Sequence, residues 1–304
     1  MSVLKFNTGA HMFKRIVLVV GCVLLAASSG FAKEKFGSVV NGTSGSIQIK
    51  GSDTMVNLVQ AWAEAFMTKN SEAFVAVTGG GSGTGIAALL NGTCDIAETS
   101  RKVTQKEIDL ANQKGIKPVE FTVALDGLAV VVHPENLVGK LTINELADIF
   151  TGEIKNWKEL GGKDLPIVIL SREVNSGTHV YFKEHVLRQG DVKHSEEFSD
   201  SALLMSSSQA IADEISQNQN AIGYYGMGYI SPSQKIVALA QDKNSPYYEP
   251  TLENVLSGKY YISRPLLMYT KGQPQGLIKE FIDFALSPAG QQIVRDVDFV
   301  PIQK

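Results

Sequence analysis

The chain has 304 residues, enough for about two domains of ordinary size, and 44% of them are hydrophobic, 19% charged and 28 glycine. That composition excludes collagen-like, coiled-coil and disordered chains. Lys and Arg number 28 against 31 Asp and Glu, a formal net charge of −3, so there is no basic surplus with which to track the phosphates of a nucleic acid.

Residues 1–32 carry Lys5, Lys14 and Arg15 and no acid, and they contain an almost wholly apolar run over 16–27. A basic start, a run too short to span a bilayer comfortably, and small residues at Gly30 and Ala32 predict a secretory signal cleaved after Ala32. Cleavage removes three positive charges and no negative one, leaving an exported, mildly acidic chain. A lipid anchor at Cys22 is the competing reading, because Val19, Val20, Gly21 and Cys22 resemble a lipoprotein box, although few apolar residues precede that cysteine and many follow it. Met12 is an alternative start. After cleavage Cys94 is alone, so no internal disulfide forms, and it reads as a buried small hydrophobe rather than a nucleophile.

From there a strand repeatedly feeds a helix. Alternation over 47–50 predicts a short strand; Gly51, Ser52, Asp53 and Thr54 intervene, and Met55, Leu58, Val59, Trp62 and Phe66 return at helical spacing. Residues 73–78 repeat the plan, passing through the loop GGGSGTG at 79–85 into a helix over 86–90 that Asn91 and Gly92 close. A strand at 95–97 runs into Thr99, Ser100 and Arg101, and Thr104 with Glu107 has the spacing of a capping box. The apolar stretch 121–132, interrupted only by Asp126 and Gly127, predicts a buried strand leaving a first domain for a second. The second domain then has a capping-box helix from Thr142 and Glu145, a strand at 166–170, a helix opening after Ser176, Gly177 and Thr178, another after 206–208, and a strand at 221–225. A strand at 265–269 returns to the first domain, where helices over 277–286 and after Pro288 pack. The expected division is a signal at 1–32, a discontinuous first domain of 33–130 plus 264–304, and a second domain of 131–263. Strands alternating with helices predict an α/β fold with mostly parallel sheets covered on both faces, and two crossovers imply a hinge.

Four loops share one property: each ends a strand and leads to a helix, with little besides Gly, Ser and Thr. They are 52–55, 79–85, 99–101 and 171–178. Helix N-termini carry unpaired N–H donors and partial positive charge, and hydroxyls add donors, so several meeting at one crevice form an anion site. Plain helix capping explains any one of these loops taken alone. Arg172, at the end of an apolar strand, adds a planar fork suited to a tetrahedral oxyanion, with Glu173 placed to hold it; the ordinary alternative is a surface ion pair between those two neighbours.

At these residues the chain becomes recognisable. GSDTM, GGGSGTGI, DIAETSR, SREVNSGT, NAIGYYGMGYI, ISRPLLMYT and LSPAGQQIV, in that order, resemble the periplasmic phosphate-binding proteins of bacterial phosphate ABC importers, the PstS family. The resemblance implies a two-domain periplasmic binding protein of type II, periplasmic and monomeric, with no cofactor, that closes on inorganic phosphate and passes it to a membrane permease. It places ligand contacts at Thr54, the Met55 amide, Ser82, Arg172, Ser176, Gly177 and Thr178, and the loops themselves add Ser52, Ser100 and Arg101 as candidates. In the best-known branch an Asp in the third loop accepts the proton of phosphate; here Ser100 occupies that position, followed by Arg101. Asp53 is the candidate replacement, against the alternative of an N-cap carboxylate that never touches the ligand. A buried acceptor rejects sulfate, which brings no proton to share.

Rival classes fit less well. Thr84 takes the last position of a GxSxG around Ser82, and no Lys follows Gly85, so neither a hydrolase elbow nor a nucleotide loop is present. His11, His133, His179, His185 and His194 show no metal-ligand spacing, and His179 reads as a solvated helix residue. Tyr224, Tyr225 and Tyr229 read as core or hinge packing rather than a sugar platform. Sulfate, molybdate or another tetrahedral oxyanion remains the alternative ligand, since the same donors serve any of them.

Overall fold

The structure is a computed structural model and describes residues 44–191 and 193–302. The expected signal peptide, the Cys22 lipoprotein box and the Met12 start lie outside the described residues. In chain order the elements are β1 (Gly45–Gly51), α1 (Val56–Lys69), β2 (Ala73–Thr78), α2 (Ser82–Asn91), β3 (Ile96–Thr99), α3 (Gln105–Gln113), β4 (Val119–Val132), β5 (Lys140–Thr142) and α4 (Ile143–Thr151). They continue through β6 (Val168–Arg172), α5 (Gly177–Phe182), β7 (Leu203–Met205), α6 (Ser208–Gln217), β8 (Ala221–Gly226), β9 (Lys235–Ile236), β10 (Ala238–Ala240) and α7 (Leu252–Leu256). β11 (Ser263–Thr270), α8 (Gly276–Leu286) and α9 (Pro288–Asp296) close the chain.

Among the described residues the main sheet runs β2-β1-β3-β11-β4-β8-β6-β7. β1 is parallel to both β2 and β3, and β6 is parallel to both β7 and β8. The two antiparallel members in the middle make the join. Val119 to Gly127 of β4 pair with β11, whereas Leu128 to Val132 of the same strand pair with β8. One continuous strand thus belongs to two half-sheets, and β11 runs back beside it. The apolar run that β4 needs for this passage is buried at every position from Leu128 to Val132.

Each half-sheet is covered by helices whose apolar stripes face it. α1 buries Leu58, Val59, Trp62, Ala63 and Phe66, and the Trp62 indole donates to the Gly290 carbonyl of α9 at 2.8 Å, which locks α1 to the C-terminal helices. The capping boxes expected at Thr104/Glu107 and Thr142/Glu145 both form, and Ser287 caps α9 with Pro288 in the first helical turn. The parallel arrangement sends the carboxyl ends of β1, β2 and β3 toward one edge, and β6 and β7 end facing them across the junction. That is the general position of ligand crevices in open α/β sheets.

Two sequence expectations are corrected here. The helix placed at 86–90 begins at Ser82, because Gly81 sits at φ 90° just before it and the second half of the Gly-rich run winds helically. The third loop does not open a helix directly: three residues separate Arg101 from α3, and Thr104 caps that helix by itself. The short strands β5, β7, β9 and β10 have too few residues to show a period in sequence.

Candidate anion-binding site

The first loop, 52–55, leaves β1 and is pinned to the strand beside it, since the Ser52 amide donates to the Glu98 carbonyl at 2.8 Å. Its hydroxyls are buried: Ser52 is 2% and Thr54 0% exposed. From β3, Ser100 reaches the same place. Ser52 Oγ donates to Ser100 Oγ at 2.9 Å, Ser82 Oγ lies 3.4 Å from Ser100 Oγ, and the Ser100 amide donates to Ser82 Oγ at 3.1 Å. Three loops of one lobe therefore converge on a single hydroxyl cluster.

The fourth loop arrives from the other lobe. Thr178 Oγ1 and Thr54 Oγ1 are 2.8 Å apart, the Gly83 amide donates to the Asn175 carbonyl at 3.0 Å, and Asn175 Nδ2 donates to the Gly80 carbonyl and to Thr84 Oγ1. Gly177 is placed so that a β-carbon would fall 2.3 Å from Ser82 Oγ and 2.8 Å from Ser100 Oγ. Only glycine permits that approach.

Capping separates the helices that face this cluster from most of the others. Thr104, Thr142, Ser207, Thr251 and Ser287 each accept an amide hydrogen bond at the start of their helices. α1, beginning after Met55, and α2, beginning after Gly81, have no side-chain cap despite being surrounded by Ser, Thr and Asp; α8 is likewise uncapped. The hydroxyls at α1 and α2 are thus not spent on ordinary capping, although the Gly83 amide in the first turn of α2 is taken by the Asn175 carbonyl. α5 differs, because Ser176 Oγ accepts from the amides of Thr178 and His179. The Met55 amide, expected to point at a ligand, donates instead to the Ser52 carbonyl at 2.9 Å.

Arg172, 1% exposed, is held from three directions. Its Nε donates to the Met205 carbonyl at 3.2 Å, Nη1 to Ser208 Oγ at 3.3 Å, and Nη2 to the Ser206 carbonyl at 3.0 Å and to Asp53 Oδ2 at 2.7 Å. The carboxylate partner is therefore Asp53 from the opposite lobe. The expected Arg172–Glu173 pairing is replaced, since Glu173 is exposed where β6 ends. Asp53 also accepts from the Gly80 amide at 2.9 Å, and its carbonyl accepts from the Tyr229 hydroxyl at 2.6 Å. The N-cap alternative for Asp53 falls with these contacts. Arg101 is paired within its own lobe: Nη1 and Nη2 clasp the two carboxylate oxygens of Glu107 at 2.9 and 2.8 Å, holding that carboxyl below its ordinary value against the opposing effect of burial, and Nη2 borders Gly83 at the start of α2.

Sequence reasoning missed a second arginine. Arg264 of β11 donates through Nε and Nη2 to Asp126 Oδ2 at 3.0 and 2.9 Å, and through Nη2 to Thr178 Oγ1 at 3.0 Å. Both members of the pair are wholly buried, and Asp126 Oδ1 accepts the Met227 amide at 2.9 Å. Burial raises the Asp126 carboxyl and lowers the Arg264 guanidinium from their ordinary values, while each supports the charge of the other. The signal was available: an acid inside the apolar run of β4 needs a cation, and Arg264 is the one cation inside the apolar run of β11. A cavity of about 560 Å³ lies beside these residues, lined in part by Arg101, Tyr181 and Arg264.

His179 is not the solvated residue expected of it. It is 5% exposed, its Nδ1 lies 3.2 Å from Ser171 Oγ, its ring packs 4.4 Å from that of Phe198, and burial pushes its pKa down to about 4. Cys94 is buried as expected, with its pKa pushed up to about 11 by burial first and Asp95 second. Tyr224 and Tyr225 are fully buried. Among the described residues no cluster of three His, Cys, Asp or Glu is placed to hold a metal, and no helix is long and apolar enough to cross a membrane.

Residues 38–289 match the PBP superfamily domain. The chain is 33% identical over 279 residues to the phosphate-binding protein PstS of Pseudomonas aeruginosa, covering 86% of this chain and 84% of that one. It is 35% identical over 295 residues to the phosphate-binding protein PstS of Bacillus subtilis, covering 94% and 93%. Among solved structures, a Clostridium perfringens protein described as a phosphate ABC transporter substrate-binding protein with bound phosphate is 36% identical, with a TM-score of 0.75 over 85% of this chain and 100% of that one. An ABC-type phosphate transport receptor from Vibrio cholerae is 30% identical, with a TM-score of 0.66 over 84% and 99%.

Proposed function

The chain belongs to the PstS family of phosphate-binding proteins within the PBP superfamily, and from that premise we propose that it holds inorganic phosphate between its lobes and delivers it to the membrane permease of an ABC importer. It is a substrate-binding protein rather than an enzyme. In this reading Ser52, Thr54, Ser82 and Ser100 supply hydroxyls from one lobe, and Arg172, Ser176, Thr178 and the Gly177 backbone close on the anion from the other. Asp53 orients Arg172 and is the acceptor for the proton of phosphate. Arg101, clasped by Glu107, contributes positive potential from the rim rather than a direct contact. The Met55 amide would reach the anion only by leaving the Ser52 carbonyl.

The observation that carries the proposal is the meeting of buried hydroxyls from four loops and both lobes beside the buried guanidinium of Arg172, with that of Arg264 behind Thr178. In so dry a setting each charge-assisted hydrogen bond to the anion is worth about 1.5–3 kcal/mol. The lobes would move about the β4 and β11 crossovers, with the first domain comprising 33–130 plus 264–304 and the second 131–263. Export through the segment 1–32 and action as a monomer in the periplasm complete the proposal.

Thermal-shift screening against phosphate, sulfate, arsenate and molybdate tests it, because a ligand bound only by the folded state raises stability by mass action. Phosphate and arsenate, which share a titratable proton, are expected to stabilise the protein at concentrations where sulfate does not. A larger shift with sulfate or molybdate than with phosphate would reassign the ligand.

A further inference from the structure

A second acid lies directly beneath the first loop, and neither the hydroxyl cluster nor the Arg172 contacts make use of it. Glu98, on β3 two residues before Ser100, is 0% exposed, and both of its carboxylate oxygens are buried with no hydrogen-bond partner among the described residues. Its backbone carbonyl receives the Ser52 amide, and its Cγ would lie 3.1 Å from a β-carbon on Gly51, so the side chain is packed against the strand end from which the first loop departs. It shares a face of β3 with Ile96, and it stands opposite Met268 of β11 in the strand register. No cation answers it there. The charged or titratable groups that interact with it electrostatically are Asp53 of the first loop, Tyr229 beyond β8 and Cys94 ahead of β3.

Two carboxyls within electrostatic reach of each other therefore occupy opposite environments. Asp53 has Arg172 Nη2 and the Gly80 amide to support a negative charge; Glu98 has nothing. Such a pair divides its labour, one member ionised and the other protonated. We propose that Glu98 is held as a neutral carboxylic acid, the proton-bearing member of an Asp53–Glu98 pair, so that the anion site contains one ionised carboxylate and not two. This rests on the site binding phosphate and deepens that reading: an ionised Glu98 would set a second negative charge behind the loop that receives a doubly charged anion. Burial, with Asp53 second, pushes the Glu98 carboxyl well above its ordinary value, in the same direction.

The test uses the full chain and Glu98→Gln, with Glu98→Met as a second neutral variant should the amide fail to fold. Infrared difference spectra at neutral pH are expected to show the carbonyl stretch of a protonated carboxyl in the wild type that either variant loses. Phosphate affinity of the wild type relative to the variant should then fall, by up to roughly tenfold per pH unit, once the pH is high enough to remove that band. Absence of the band at neutral pH, or a variant that binds phosphate tenfold more tightly than the wild type there, would overturn the proposal. If neither protein binds phosphate at any pH, the phosphate reading fails while the band still decides the state of Glu98.

Discussion

The molecule buries two arginine–aspartate pairs of the same chemistry in two different places, and their difference separates the site from the hinge. Arg264 and Asp126 are direct partners in the register of β11 and β4, both fully buried, and nothing short of unpairing two strands would part them. Arg172 and Asp53 come from opposite lobes; Asp53 retains 16% exposure, and the pair exists only while the loops of both lobes are together. The first pair is architecture. The second is a contact between loops of different lobes. Thr178 stands between the two regions, accepting from Arg264 and meeting Thr54, the neighbour of Asp53 in the first loop.

The largest expected effect breaks the architectural pair. Asp126→Ala leaves Arg264 charged and buried without its counter-ion, and a loss of about 3–5 kcal/mol is expected in urea unfolding; a loss below about 1 kcal/mol would mean that the pair does not hold the crossover. Arg172→Ala removes the contact that spans the lobes. Calorimetric titration is expected to show phosphate affinity lowered by roughly 100-fold or more, equivalent to about 3 kcal/mol, with a loss of stability smaller than that of Asp126→Ala, since Asp53 keeps the Gly80 amide and its partial exposure. An equal loss of stability in both variants would erase the distinction drawn between them.

Gly177→Ala sharpens the same contrast without touching a charge. Its methyl would meet Ser82 and Ser100 at distances no β-carbon tolerates, so closure should fail and phosphate binding weaken by roughly tenfold or more while each lobe stays folded. Glu98 gives a pH dependence. Its raised carboxyl favours the folded state fully below the ordinary carboxylate value, and that advantage is lost as pH rises toward the folded value. Glu98→Gln lacks this dependence, so its stability relative to the wild type in chemical unfolding should grow by up to about 1.4 kcal/mol per pH unit as the pH rises above the ordinary carboxylate value. A constant difference over that window would contradict it. The smallest effect lies outside both regions: Thr142→Ala removes the capping box of α4, which takes no part in the hydroxyl cluster, and should cost about 1 kcal/mol of unfolding free energy, with phosphate affinity retained.

What could be read from the residues follows the range of the interactions. Strand–loop–helix units announced themselves through local spacing, and so did the caps at Thr104, Thr142 and Ser287, because each depends on partners within four positions. The motifs around Ser82, Arg172 and Thr178 are short runs marked by their resemblance to the PstS family rather than by local partners. Partnerships over long separations were not legible. Arg172 was assigned to its neighbour Glu173 when its carboxylate lies 119 residues away, and Arg264 was passed over because its acid is 138 residues distant. Glu98 looked like an unremarkable member of DIAETSR until its burial and lack of partners were visible. His179 shows the converse error, since a polar residue after a helix start faces the interior when an aromatic such as Phe198 stacks on it.

The most direct measurement is the position of arsenic in crystals grown with arsenate, located by its anomalous scattering. A single strong peak is expected between the lobes, within hydrogen-bonding reach of Ser82, Ser100, Arg172 and Thr178. A peak confined to the surface, or one touching residues of a single lobe only, would contradict it.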